Sequence, residues 1–459
     1  MKRFLSFHRV ELLAVVLFVG AASALHAQTS ANPNASNSTS SRDISAYGVF
    51  RQDSRESPLI FPNPEAILGH RLLSKVGTGN TAVQGATDNY IMTASPGAAI
   101  NRGYFVTDLG TLGGTESFAY AINGLAQVVG ASRITGDVST HAFLYSEGRM
   151  IDLSPLNSQS IQTVGPTEIN DFGQIGSGSI FGGIYSPAVF DSRTGNLASL
   201  GSLGGVTSYG FNGVATSINN LGDAVGYSYI DPITRHAFLY SNGAMTDIDS
   251  FGGYSGALAI NDQGVIVGFA SPQFNGTATA FVSSQGVTTD IFQSGTESYA
   301  RDVNNRGQVV GDFLIADKSA FHAFLYTDGV VTDIGSLGSP QTVAAAINDQ
   351  QQVIGTTWVP YNATCSSGVC IQYRQRAFLY EGGNMADLNA LIPSGSGWEL
   401  SWAFDINNDG QIVGYGLVND KFRAYLLTPV TSTAQCSDGW QTFGFKNQGQ
   451  CFQFVNTGN

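Results

Sequence analysis

The sequence predicts an all-β fold: a seven-bladed β-propeller closed by pairing of the N-terminal strand with the last blade. Three observations lead there. A unit recurs seven times across residues 104–429, each unit holds four short β-rich segments, and one fourth-strand phrase precedes the first full unit while the last unit lacks one. Four strands in about 45 residues is the period of a propeller blade. A chain that opens with an orphan strand and ends one short is most simply a ring in which the first strand completes the last sheet, leaving no open edge to cap.

The composition is compatible with such an array. With 459 residues, 42% hydrophobic and only 12% charged, the chain has core material for two or three ordinary domains or one repeat array, which excludes wholesale disorder. A formal net charge of −13 repels phosphate backbones and excludes nucleic acid as a partner.

In chain order, residues 1–27 combine a basic start (Lys2, Arg3, Arg9) with an apolar run ending in small residues, which reads as a signal peptide. Cleavage after Ala27 leaves Gln28 first, with Ala24 as a competing site. No later stretch reaches the roughly 18 to 20 apolar residues of a membrane span, and no Cys lies near the cut to take a lipid. The expectation is a secreted, extracellular protein with no membrane anchor. Residues 28–103 read as a flexible or irregular leader: a Ser/Asn/Thr/Ala stretch over 28–42, then apolar islands at 47–50, 59–61 and 67–73 that either pack on the ring or stay loose.

The first phrase of the unit is Ile-Asn-x-x-Gly-Gln-Val-Val-Gly. Its Asn stands at Asn123, Asn170, Asn219, Asn261, Asn304, Asn348 and Asn407, each after Ile or Val. Ala lies four residues earlier in six copies, with Pro166 the exception, and Gly seven residues later in six, with Ser177 the exception. After the Asn comes Asp or Asn in six copies (Asp171, Asn220, Asp262, Asn305, Asp349, Asn408), and two residues on a Gly (Gly173, Gly222, Gly264, Gly307, Gly410). This spacing fits a type I turn whose Gly takes the left-handed position of a bulged hairpin. The strand before it is expected to be innermost, where only Ala fits between converging blades, so those six Asp and Asn residues would ring one mouth of the channel. Turn chemistry alone explains them, although such a rim also suits a cation or polar ligand.

The second phrase, His-Ala-Phe-Leu-Tyr or a relative, carries Ala142, Ala188, Ala237, Ala280, Ala323, Ala377 and Ala424 and reads as a third strand, with Ala and Leu on one face and aromatics on the other. A third phrase supplies the fourth strand with Asp108, Asp152, Ser199, Asp247, Asp290, Asp333 and Asp387, whose carboxylates suit the N–H groups of the turn that follows. Copy two, lacking both Ala and Gly, leaves six or eight blades as open alternatives.

The recurrence of these two phrases in order, with His141–Ala142, His236–Ala237 and His322–Ala323 among them, resembles the HAF-type family of probable extracellular repeats of bacterial secreted proteins. The resemblance covers about residues 104–429. It implies export and a repeat architecture, and no established reaction or catalytic residue.

Four cysteines pair most naturally by proximity, Cys365 with Cys370 at the tip of an insertion in copy six and Cys436 with Cys451 in the tail. A zinc site is the rival, but CxxC knuckles and neighbouring His residues are lacking. Residues 430–459 are expected to form a small disulfide-closed hairpin module, whose Trp440, Phe443, Phe445, Phe452 and Phe454 serve its core or, alternatively, a sugar-stacking platform.

Chemistry-bearing motifs are sparse. His141, His236 and His322 hold one position in alternate blades, too far apart to share a metal. Asp405, Asn407 and Asp409 resemble half a calcium loop, with Gly416 where the closing acid belongs. A nucleophile elbow, a phosphate loop and HExxH are all missing from the chain, and no metal or cofactor is implied. The expected function is a secreted, non-enzymatic binding scaffold for an extracellular glycan or protein. The alternative is a carbohydrate-active enzyme with a site on one face, for which nonrepeated acids such as Glu168, Asp302 or Asp405 would have to converge.

Overall fold

The computed structural model of the chain describes residues 91–93, 100, 102–154, 166–208, 210–248, 252–273, 276–292, 295–317, 320–339, 341–365, 368–438, 440, 445 and 447–457, without the side chains of 91–93, 362–371, 438 and 457. The expected signal peptide and most of the expected leader lie outside the described residues.

Seven antiparallel sheets of four strands follow one another along the chain. Blade one runs Gly113–Ile122, Val128–Ile134, Thr140–Ser146 and Arg149–Asp152, from inner to outer strand. Blade two is Glu168–Ile169, Gln174–Phe181, Ile184–Asp191 and Asn196–Ser199. Blades three and four begin at Gly213–Ile218 and Tyr254–Ile260, blades five and six at Ser298–Val303 and Thr342–Ile347. Blade seven is Trp398–Ile406, Ile412–Val418 and Lys421–Pro429, completed by Tyr104–Asp108. That last pairing is antiparallel, Val106 opposite Leu427 and Asp108 opposite Tyr425, so the chain's two ends of the ring are zipped together. The fold is a closed seven-bladed propeller.

The repeated turn behaves as its spacing predicts. In each blade the N–H three residues after the Asn donates to the Asn carbonyl, at 3.0 to 3.1 Å. The donor residue has φ from 57° to 83°, taken by Gly in five blades and by Ala126 and Gln351 in blades one and six. In six blades the inner strand then bulges three residues before the Asn, as between Ala215 and Ser217. That extra residue bends the strand and re-aims the side chains that follow it.

The Gly seven residues after the Asn has a packing cause. It pairs with a third-strand aromatic and, through it, with the fourth-strand Asp: Gly130, Phe143 and Asp152 in blade one, and Gly226, Phe238 and Asp247 in blade three. A Cβ on Gly226 would run into the Val214 carbonyl oxygen of the bulged inner strand and lie 3.0 Å from the Phe238 ring. Both faces of the third strand are buried, since Ala142, Phe143 and Leu144 are each under 10% exposed. The expected split into an aliphatic and an aromatic face therefore has core on either side, because every sheet is sandwiched between two neighbours.

Blade two corrects an alignment. Its register is Ser177 to Ala188 to Ser199, so Ala188 stands where other blades have the aromatic, Pro187 where they have Ala, and Ser186 where blade one has His141. Gly with Phe has become Ser with Ala, a trade of volume across one strand pair. The Ser is tolerated because the inner ladder stops at Glu168 opposite Gly176, one residue short of it. Pro166, with no N–H to offer a ladder, precedes that stop.

Other parts depart from expectation. Ile91–Thr93 of the leader adds a fifth, parallel strand to the outer edge of blade five, pairing with Val330–Asp333. The insertion of blade six is an extension of two strands, Val353–Cys365 and Gly368–Glu381, into one long hairpin. It carries Cys365 and Cys370, whose side chains lie outside the described residues. The tail is helical and not the expected hairpin: Gln435–Asp438 and Gln448–Thr457 are joined by the Cys436–Cys451 disulfide. Phe445 and Phe454 pack on Phe105 of the closing strand, with ring centroids 5.9 and 6.1 Å away. Phe445 and Phe454 are thus committed to fastening the tail onto the ring, while Phe443 lies outside the described residues.

The packing account yields a contrast. Gly226→Ala should lower the unfolding free energy by about 1–3 kcal/mol through forced overpacking. Ser177→Ala, which removes a buried hydroxyl without a hydrogen-bond partner, should change it by less than about 1 kcal/mol. Urea unfolding of the two variants checks both.

Candidate functional site

At the hairpin end of the channel the seven Asn residues form a continuous hydrogen-bonded circle. Asn123 Nδ2 donates to the carbonyl of Asn170, Asn170 to Asn219, and so on round to Asn407, which donates to Asn123; the seven distances lie between 2.8 and 3.1 Å. Each Asn Oδ1 meanwhile accepts the N–H groups two and four residues on, within its own turn. All seven are buried.

One residue further along sits a second ring, nearer solvent. The N–H of each member donates to the side-chain oxygen of the next blade's: Gly124 to Asp171 at 2.7 Å, Asp171 to Asn220 at 2.9 Å, Asn220 to Asp262 at 2.8 Å, and onward through Asn305 and Asp349 to Asn408. Asn220 also donates Nδ2 to Asp171 and Asp262, and Asn408 to Asp349. The six rim residues singled out in the sequence are thus brought together, with Asp262 and Asp349 each between two Asn residues and Asp171 between Gly124 and Asn220.

Beneath the rings, Glu168, Asp302 and Asp405 come from the position two before the Asn in blades two, five and seven. They line the same cavity of about 210 Å³ as both rings. Asp405 Oδ2 accepts the N–H of Ile122 at 2.7 Å, and Asp302 Oδ2 that of Ile347 at 2.8 Å, so each ties its blade to the next. Glu168 accepts the N–H of Ile169 within its own strand. The surrounding walls strip water from all three. Burial pushes Asp302 up to about 6; burial, with the nearby Asp302 carboxylate, pushes Asp405 up to about 7. Glu168 is held well above the usual carboxylate range by burial first and then by Asp405 and Asp302.

The histidines lie elsewhere, on the outer half of their blades. His141, His236 and His322 each donate Nδ1–H to the fourth-strand Asp eleven residues on, Asp152, Asp247 and Asp333, at 2.8 Å. That bond holds the His322 imidazole above its ordinary value. The other oxygen of Asp152 and of Asp333 accepts from the following turn, Ser154 N–H and Gly335 N–H. In blade two Ser186 and Ser199 occupy these places, so both partners of the pair are lost together. Among the described residues no group of three or more His, Cys, Asp or Glu side chains is placed to hold a metal ion. Two features escaped the sequence: the Asn side chains reach across blades, and His pairs with Asp. Recurrence alone hinted at either: the Asn in seven copies, the His with its Asp in three.

A family model described as protein of unknown function (DUF3466) matches residues 209–330, from the approach to blade three to the start of the outer strand of blade five. No curated protein matches the chain. Among solved structures it is similar to the β-propeller domain of the Trilobed protease from Pyrococcus furiosus, described as having an open velcro topology, at 12% identity, covering 72% of this chain and 94% of that one with a TM-score of 0.41. It is also similar to oligogalacturonate lyase from Vibrio parahaemolyticus, at 10% identity, 76% and 100% coverage and a TM-score of 0.39. For TolB from Acinetobacter baumannii the values are 10%, 63% and 76%, and 0.35. Likenesses of this size carry no argument about activity, and the blade count rests on this chain's own strand pairing.

Two expectations follow from the ring. Asn407→Ala should cost about 2–4 kcal/mol, because it strands the N–H groups of Asp409 and Gln411 and removes the cross-blade bond to the Asn123 carbonyl, which keeps only the Ala126 N–H; chemical denaturation will read this. The raised acids set a pH slope. Above the ordinary carboxylate range near pH 4 the folded chain keeps protons that the unfolded chain has released. Stability should therefore fall from about pH 4 to about pH 7. Asp302→Asn combined with Asp405→Asn should flatten that slope in urea midpoints measured across the window.

Proposed function

We propose that the chain is an exported, non-enzymatic binding scaffold of the HAF-type extracellular repeats, presenting its Asn-ringed mouth to a protein or glycan ligand. Export rests on the basic start and apolar run of residues 1–27. The observation that carries the binding role is at the hairpin tips. Leu125, Phe172 and Leu221 are 66%, 51% and 71% exposed on three consecutive blades around the cavity. Large apolar side chains gathered at one rim are a recurrent mark of an interaction surface. The polar atoms of the rings are engaged between blades, so the mouth is pre-organised and a ligand meets it without an ordering cost.

A second reading, a carbohydrate-active enzyme, is favoured by one observation: Glu168, Asp302 and Asp405 share a cavity and hold their protons toward neutral pH, as a general acid must. Against it, Asp302 and Asp405 each already accept two backbone N–H groups. Incubating the mature protein with a panel of polysaccharides and with extracellular protein extracts separates the two. Retention without cleavage, weakened by Leu221→Ser, is the expected outcome. Chain shortening abolished by Glu168→Gln would establish the enzyme instead.

A further inference from the structure

The seven hairpin tips are chemically unequal. Two residues beyond the ring Asn, blades one to three carry Leu125, Phe172 and Leu221, whereas blades four to seven carry Gln263, Arg306, Gln350 and Asp409. The turn itself asks for no apolar side chain there, since four blades close the same turn with polar or charged ones. The apolar arc is therefore a feature of the surface and not of the fold.

What the arc borders fixes the chemistry of its occupant. The cavity walls carry carboxyl groups at two levels, Asp171, Asp262 and Asp349 on the rim and Glu168, Asp302 and Asp405 beneath, and no Lys or Arg lines them among the described residues. Arg193 lies outside, over the Phe172 ring at 6.0 Å. The acids beneath hold protons toward neutral pH, so the attraction for cations comes from the three rim carboxylates, Asp171, Asp262 and Asp349. Polyanions, including acidic glycans and anionic lipid headgroups, are repelled both by this rim and by a chain of net charge −13. A neutral glycan would leave the charge without a use, and a small amine would leave most of the three-blade arc uncovered.

We propose that this mouth docks a polypeptide segment that is both basic and apolar, its ammonium or guanidinium group over the rim carboxylates and its apolar side chains on Leu125, Phe172 and Leu221. The proposal rests on the reading of the mouth as a ligand surface and names the class of ligand. Exposed tips can be changed without touching the core, which makes the surface separable from the fold.

Three fluorescein-labelled peptides test it by anisotropy against the mature protein: Phe-Leu-Lys-Leu-Phe, Phe-Leu-Glu-Leu-Phe and Ser-Gly-Lys-Gly-Ser. Only the first should bind. Its affinity should fall about tenfold in Leu125→Ser/Phe172→Ser/Leu221→Ser at unchanged Tm. It should also weaken between about 0.05 and 0.5 M salt. Equal binding of the Glu peptide, or full affinity in the triple-Ser variant, overturns the proposal. So does failure of all three peptides. In that case a glycan retained by the wild-type protein and lost by the triple-Ser variant would leave the mouth as a ligand surface while removing the basic peptide as its occupant.

Discussion

The propeller depends on what one carboxamide can do twice. Each ring Asn uses its oxygen to hold its own turn and its nitrogen to hold the next blade. Asp would keep the first task and lose the second, because a carboxylate has no proton to give, and Ser is too short to reach a neighbouring strand while capping its own turn. The bonds are shielded from water, so a missing side chain leaves two N–H groups of its own turn unpaired and takes from the neighbouring blade's carbonyl the second of its two partners. They also act in series: the circle closes only if Asn407 finds Asn123, which requires every intervening blade to take its share of the rotation. Blade seven is held to the chain's start a second time at its outer edge, by Tyr104–Asp108. The ring is therefore clamped at both radii of the blade where an open array would come apart.

This double duty explains how far the sequence could be read. The Asn positions, the left-handed Gly after them and the orphan first strand are local or counting signals, and they carried the blade number, the turn type and the closure. The partner of each Asn Nδ2 lies 42 to 59 residues away, or 284 at the seam, and a repeat shows only that both ends recur. The same holds for His141 with Asp152, whose eleven-residue spacing means nothing until the hairpin register is known. Blade two was misread by one residue because Ala188 matched the repeated Ala by type, whereas its neighbours in the ladder, Ser177 and Ser199, place it opposite the aromatic of other blades. The tail misled for a related reason: Gly and aromatics closed by a disulfide fit a hairpin or a helix pair equally, and the choice is made by Phe105 of the closing strand, against which Phe445 and Phe454 pack.

The three inner acids show why convergence alone does not identify chemistry. Asp302 and Asp405 are the first paired residues after the bulge, at a position where blades one, four and six carry Ala. Each spans two backbone N–H groups, one in its own blade and one in the next, as a clamp would. Charge confined there is costly, and both acids respond by holding protons at higher pH. Glu168 differs, reaching the cavity from the blade with the shortest inner strand and bonding only within that strand. If any of the three meets a ligand, its longer side chain and lighter structural duty single it out.

The outer ring carries a constraint of arithmetic. An acid beside an amide is favourable and an acid beside an acid is not, so the rim alternates Asp, Asn, Asp, Asn, Asp, Asn through blades two to seven. Seven is odd, and strict alternation cannot close on itself. At the remaining place stands Gly124, which gives its N–H to Asp171 and presents no side chain to Asn408. A Cβ there would already lie 3.0 Å from an Asp171 oxygen. The interruption falls on blade one, at one end of the apolar arc formed by Leu125, Phe172 and Leu221. An even-bladed ring could have kept its mouth uniform; an odd one must have a distinct side, and in this chain the break in the polar ring and the apolar lip coincide.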